Sequence, residues 1–164
     1  MIIRKTQWSD PDAMALREAQ RVEIEVRYGT PDSEPGPAPT ALDITAFFVA
    51  YDDADQPVGC GALRELPGNE AEVKRMFAAS SHRGTGVSSA ILLELERFGR
   101  EQGWSRLILE TGDRQPDAIR FYEREDFTRI ANFGYYADSQ HSICFEKPLF
   151  AIDPAGDVGC EGCQ

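Results

Sequence analysis

The sequence predicts one α/β domain of the α+β kind. The expected architecture is a mixed, mostly antiparallel sheet of about six to seven strands flanked by about four helices. Three observations predict it. The middle of the chain carries three apolar runs separated by short polar turns, the pattern of an antiparallel meander. Two amphipathic helical runs follow, with a fully apolar run between them. The length of 164 residues, with 41% hydrophobic and 27% charged, suits a single core.

The elements follow in chain order. "MIIRKT" is a short first strand. Asp10 is an N-cap and Pro11 sits at the first helical position, which needs no N–H donor. Ala13, Leu16 and Ala19 give that helix a small apolar face. "VEIEVRY" alternates like a strand, but no breaker precedes Gly29, so the helix is extended through Tyr28. Residues 30–39 carry four of the ten prolines and read as a surface loop. Thr40 with Asp43 resembles a capping box, which predicts a brief helix.

"AFFVAYD" and "PVGCGALREL" form a hairpin across "DADQ", and "AEVKRMFAA" adds a third strand. Val87, Ala90, Ile91, Leu95 and Phe98 recur at helical spacing up to Gly103. "SRLILET" is a strand, "QPDAIRFYERE" a helix, and "FTRIANF" and "HSICFEKPLF" the last two strands. Residues 1–150 are read as the domain and 151–164 as an unpacked tail.

Composition narrows the function classes. The net charge of −11 argues against nucleic-acid or anionic-membrane binding, which needs clustered Lys and Arg. No apolar run approaches the ~20 residues of a membrane span. The first residues lack a signal peptide's apolar core, so a cytoplasmic protein is expected. Cys60 and Cys144 lie in apolar strands and are expected to be buried thiols. Cys160 and Cys163 form a C-x-x-C, short of the four ligands of a structural zinc site, so no metal is expected.

The stretch "SHRGTGVSS" carries the chemistry. A glycine-rich loop opening a helix suits phosphate, because the first helical N–H groups lack partners and lie at the positive dipole end. Gly84-x-Gly86-x-x-Ser89, with Glu110 at a later strand end, approximates a dinucleotide-binding fingerprint. Against that reading, the loop follows a meander, and only one strand–helix unit remains after it. No Gly-Lys-Ser/Thr is present for a nucleoside triphosphate.

Arg83-x-x-Gly86-x-Ser88 resembles the (Gln/Arg)-x-x-Gly-x-(Gly/Ala) signature of the GNAT superfamily of N-acetyltransferases, in its small stand-alone bacterial form. The downstream stretch "ETGDRQPDAIRFYEREDF" resembles that family's second motif, with Ala118, Phe121, Tyr122 and Phe127 in place. Ser88, Gln115 and Asp126 depart from it, the last where glycine is usual. The resemblance implies acetyl-CoA as donor co-substrate and a primary amine as acceptor, joined by direct attack in a ternary complex. It implies that Arg83, Gly84, Thr85, Gly86, Val87 and Ser88 hold the pyrophosphate. It implies that Met76, Phe77, Ala78, Gln115, Ala118 and Phe121 line the pantetheine arm, with an N–H of Met76 or Phe77 polarising the thioester.

Tyr122 is the expected general acid for the leaving thiolate, since a phenol can donate there. Glu72 is the expected base, from its spacing before Arg83 in the family. Glu25, Tyr28, Phe133 and Tyr135 are expected around the acceptor, whose identity stays open. A homodimer is common in the family. The rival readings are a CoA-binding regulatory module without turnover and, more remotely, a dinucleotide-binding protein.

Overall fold

A seven-stranded sheet in the order β1-β2-β3-β4-β5-β7-β6 carries one helix on one face and two on the other. The computed structural model describes residues 1–30 and 33–150. The elements are β1 (Ile2–Thr6), α1 (Pro11–Tyr28), β2 (Ala46–Tyr51), β3 (Pro57–Leu66), β4 (Glu70–Ala78), α2 (Val87–Gln102), β5 (Arg106–Gly112), α3 (Pro116–Arg124), β6 (Thr128–Ile130) and β7 (Ser142–Pro148). The expected sheet and the antiparallel meander are present. Among the described residues there are three α-helices where about four were expected.

The difference lies at Thr40. Its capping box with Asp43 forms, Asp43 Oδ1 accepting from the Thr40 N–H, but it closes a turn. Six residues on, β2 begins, which leaves no length for a helix. The first helix is capped as expected. Asp10 accepts from the N–H groups of Asp12 and Ala13, and Gly29 ends it in the left-handed conformation. It runs through "VEIEVRY" because its other half already packs Ala13 and Leu16 on Phe47, Val49, Cys60 and Ala62. Propagating a helix adds one hydrogen bond per residue, whereas a new strand there would need a free sheet edge.

On the opposite face, α2 buries Val87, Ile91, Leu92 and Leu95 against Phe48, Leu63, Val73 and Leu107. Each such side chain contributes about 1.5–3 kcal/mol by leaving water. Cys60 and Cys144 are buried free thiols, as expected. Cys160, Cys163 and the proposed tail lie outside the described residues. Among the described residues, no helix is long and apolar enough to cross a membrane.

Two irregularities shape the site. First, β4 and β5 are parallel and paired only over Glu70–Arg106, Ala71–Leu107 and Glu72–Ile108. Beyond Glu72, β4 stays with β3 to Ala78, and β5 stays with β7 to Gly112. The two strands therefore part and leave a notch in the sheet. Second, β4 bulges. The register shifts between Cys60 and Ala62, so Arg75 and Met76 together oppose Gly61. Arg75 has φ 55°, a left-handed conformation costing about 1 kcal/mol or more for a non-glycine residue. Gly61 faces a crowded position opposite the bulge, since a Cβ there would meet Met76 Sδ at 2.6 Å and Ile91 Cγ2 at 2.8 Å.

Candidate active site

Two adjoining cavities meet at the notch. The larger, about 890 Å3, lies on the α1 side. The smaller, about 400 Å3, runs from the end of β4 to the start of α2 and along α3. Gln20, Ile24, Met76, Gln115, Ala118 and Tyr122 line both, so this is one cleft with a waist.

The smaller cavity has a phosphate-type end. Arg83, Gly84, Gly86, Val87 and Ser88 line it. Gly84 and Gly86 have φ of 76° and 88°, and the space beside both is open. Their glycine character is thus set by backbone conformation, not by crowding. Gly86 caps α2 with no side chain bonded to the first-turn N–H groups, and that turn holds no acidic residue. Those donors are free to receive an anion. Thr85 lies outside the cavity lining and bonds the His82 carbonyl within the turn.

Arg83 differs from expectation. Its Nη2 meets both carboxylate oxygens of Glu23 on α1, at 2.7 and 2.6 Å, and its Nε bonds the Ala78 carbonyl. The guanidinium fork expected to face phosphate is closed on Glu23, across the groove. Sequence spacing carried no sign of this pair, whose members stand 60 positions apart.

The downstream motif is in place. Gln115 caps α3, and Gln115, Ala118 and Phe121 line the small cavity together with Met76, Phe77 and Ala78. Asp126 adopts φ 67°, so it fills the usual glycine conformation, and the Phe127 N–H still bonds the Tyr122 carbonyl. Phe127 and Phe145 pack against the Tyr122 ring at 5.5 and 6.2 Å between centroids. This packing fixes the ring at the waist. Burial pushes the Tyr122 phenol well above its usual pKa, so it stays protonated at neutral pH.

Glu72 is placed differently from a free base. It is 2% exposed and lines neither cavity. Its Oε2 accepts from Arg64 at 2.8 Å, and its Oε1 from the Tyr136 hydroxyl at 2.7 Å and Lys74 at 3.4 Å. Lys74 and Arg75 also hold Glu34, from the loop after α1. Burial alone would raise the Glu34 pKa, but the two cations pull it down to about 2. This network pins the loop at residues 33–43 and the turn Gly134–Tyr136 to β3 and β4. Removing Glu72 takes away the carboxylate shared by Arg64 and Lys74, leaving the two cations with only Asp43 and Glu34 beside them. Glu72→Ala is expected to cost about 3–5 kcal/mol and lower Tm by roughly 10 °C. Thermal denaturation checks it, and an unchanged Tm contradicts a structural role.

The carboxylate that does face the notch is Glu110. It sits on β5 beyond the last β4 pairing and lines the large cavity. Burial raises its pKa, the charges of Glu34 and Glu72 raise it further, and Lys74 opposes them; the result is about 7. Alternation puts Glu110 on the same face as Ile108, two residues before it, and away from the α2-side core that takes Leu107 and Leu109. Its position at a strand end was the legible signal, and it suits a proton acceptor as well as a ribose partner.

Gln20 is another site residue that sequence reasoning missed. Its Nε2 donates to the Met76 carbonyl at 2.9 Å, while its Oε1 is buried with no partner among the described residues. The acceptor residues are only partly brought together. Tyr28 lines the large cavity, its hydroxyl buried and close against Gly112. Glu25, Phe133 and Tyr135 line neither cavity. Glu25 lies on the exposed side of α1 and pairs with Arg21. Phe133 packs on Tyr136 at 5.3 Å, and Tyr135 is exposed and lies over Gly36. The aromatic residues after β6 therefore brace the loop instead of walling the cavity.

A parted parallel pair, a bulge beside it and a phosphate-type loop at its mouth distinguish this cleft from a dinucleotide site, which needs two βαβ halves in a parallel sheet; among the described residues β4-α2-β5 is a single βαβ unit, and the other strand pairs are antiparallel. The acetyltransferase (GNAT) family model matches residues 13–127. The chain belongs to that family. It is an acyltransferase, and the reading as a module without turnover is not favoured.

Among curated relatives, an IAA acetyltransferase of Azospirillum brasilense is 39% identical over 93 residues. That match spans 56% of this chain and 61% of the relative, so it covers about three fifths of that relative's length. The N-acetyltransferase YsnE of Bacillus subtilis, itself uncharacterised, is 32% identical over 63% of this chain and 69% of its own. A Klebsiella pneumoniae structure assigned as an acyl-CoA N-acyltransferase superposes with TM-score 0.78 at 28% identity, covering 91% of this chain and 97% of that one. The PaiA N-acetyltransferase of Thermoplasma acidophilum, solved with coenzyme A, shares the fold with TM-score 0.65 at 18% identity. It covers 90% of this acetyltransferase and 99% of its own chain.

Proposed function

We propose that this acetyltransferase moves the acetyl group of acetyl-CoA directly to a primary amine, with Glu110 as base and Tyr122 as acid. The observation that carries the reading is the waist. The carboxylate and the phenol line the same cavity where β4 and β5 part, and the phosphate-type loop lies at the other end of the cleft. The fold neighbour solved with coenzyme A supports the choice of donor.

The pyrophosphate would rest on the free N–H groups after Gly84, and the pantetheine arm would follow β4 past Ala78 and Phe77. Gln20 Oε1, buried and unpartnered, suits an N–H of that arm or of the acceptor. Glu110 takes a proton from the acceptor ammonium. The neutral amine then attacks the thioester carbon, and a β4 N–H at Met76 or Phe77 meets the oxygen as it gains charge. Collapse breaks the C–S bond, Tyr122 gives its proton to the departing thiolate, and the new amide nitrogen loses its surplus proton, which restores the Tyr122 phenol.

Glu72 serves this scheme by holding the acceptor-side loop, not by moving protons. A thermal-shift titration tests the donor. Acetyl-CoA at 100 times its Kd is expected to add about 2.7 kcal/mol, and NAD nothing. No shift with any CoA ester refutes the proposal.

A further inference from the structure

The large cavity has a charge balance opposite to that of the whole chain. The protein carries 28 acidic and 17 basic residues. Yet five cationic side chains line this cavity against three carboxylates, one of which is Glu110. Arg21 is matched by Glu18, and Lys74 and Arg75 share Glu34. Arg17 and Arg114 have no ion pair with a carboxylate among the described residues; Arg114 lies 5.7 Å from the centroid of the Tyr28 ring, and Arg17 is the one on the α1 wall.

Arg17 is also built into place. Its Nη1 donates to the Trp8 carbonyl at 2.7 Å, and its guanidinium lies 3.6 Å from the centroid of the Trp8 ring. Stacking holds the plane of the fork while leaving its other N–H groups to face the cavity. Arg75 approaches from β4. The bulge re-aims it, and it stands next to Met76, at the waist. The two guanidiniums line one cavity from opposite elements, Arg17 from α1 and Arg75 from β4. Such a pair is stabilised by an anion between them.

We infer that the acceptor is an amine that carries its own carboxylate, an α-amino acid in the simplest case, with the carboxylate on Arg17 and Arg75 and the amine toward Glu110. This rests on the proposed transfer to an amine and names the substrate class of that same site. An α-carboxylate stands two bonds from its amine, and Arg75 stands one residue from the strand position that flanks the thioester. Met14 and Ile24 in the same lining offer an apolar surface to the side chain.

The experiment compares matched pairs in a thiol-release assay with acetyl-CoA: phenylalanine, leucine and methionine, each against its own α-carboxamide. The amide keeps the shape and the amine, loses only the charge, and has more free amine at neutral pH, so the comparison is biased against the inference. The acid is expected to have at least tenfold higher kcat/KM in one or more pairs. Arg17→Gln is expected to bring that ratio within about threefold, and Arg17→Lys to restore part of it. Equal or better amides in every pair overturn the inference, as does a ratio that survives Arg17→Gln.

A second reading needs no turnover. N-acetylphenylalanine is expected to change the fluorescence of Trp8 saturably, N-acetylphenylalaninamide is not, and Trp8→Phe removes the signal. An equal response to both, or none to either, overturns the inference. Failure of the donor reading is seen separately, as the absence of any thermal shift with acetyl-CoA, and failure of transfer as a shift without thiol release from any amine.

Discussion

Glu110→Gln is expected to lower kcat/KM for the amine at least 100-fold at pH 7, the scale of a lost general base. The sign of its pH dependence follows from its pKa of about 7, raised from the usual 4.5 mainly by burial. Only the ionised form accepts a proton, so wild-type kcat/KM rises as pH rises through about 7. The glutamine variant loses that limb. Its stability moves the other way. A carboxyl whose pKa is raised from 4.5 to about 7 in the fold stabilises it fully below about pH 4.5 and loses that contribution as pH rises through about 7. The variant should therefore be at least as stable as wild type at pH 8, which separates lost chemistry from lost fold. A pH–rate profile with a parallel melting curve checks both. A variant that keeps its acidic limb and its rate removes Glu110 from the mechanism.

Tyr122→Phe is expected to lower kcat at least tenfold with little change in acetyl-CoA affinity. The ring packs on Phe127 and Phe145, and phenylalanine keeps that packing. The loss is confined to the hydroxyl at the waist. Burial keeps that hydroxyl protonated, so the wild-type profile should show no tyrosine ionisation near neutral pH. A more reactive thioester with a better leaving thiolate should recover part of the lost rate, because it needs the acid least. An unchanged kcat contradicts the acid role.

The fold was legible because its signals are local. Asp10 with Pro11 and the period of α2 announce their elements within a few residues. The capping box at Thr40 misled for the same reason, since a cap specifies how a turn opens and not how far a helix continues. Much of the lining of the smaller cavity was legible too, because it comes from two short stretches, residues 76–89 and 115–124; its third wall, from α1, was not.

The acceptor half was not. Glu72 and Glu110 are both strand carboxylates, and only the third dimension separates them. Glu72 falls where β4 is still paired and meets Arg64, Lys74 and Tyr136, whereas Glu110 falls past the parting. Arg83 and Glu23 pair across the groove from distant segments. Tyr135 and Phe133 looked like a wall because aromatic residues cluster there, but adjacent positions point different ways, and the one buried residue of the turn, Tyr136, serves the ion network.

The central claim is that the parted strands hold the thioester between the phenol and the carboxylate. A crystal structure with acetyl-CoA bound tests it most directly. The account predicts the pyrophosphate on the N–H groups from Gly84 to Ser88, the sulfur within ~3.5 Å of the Tyr122 hydroxyl, and the acetyl group facing the cavity that Glu110 lines. A donor that enters the cleft elsewhere, or a thioester turned away from Tyr122, would contradict it.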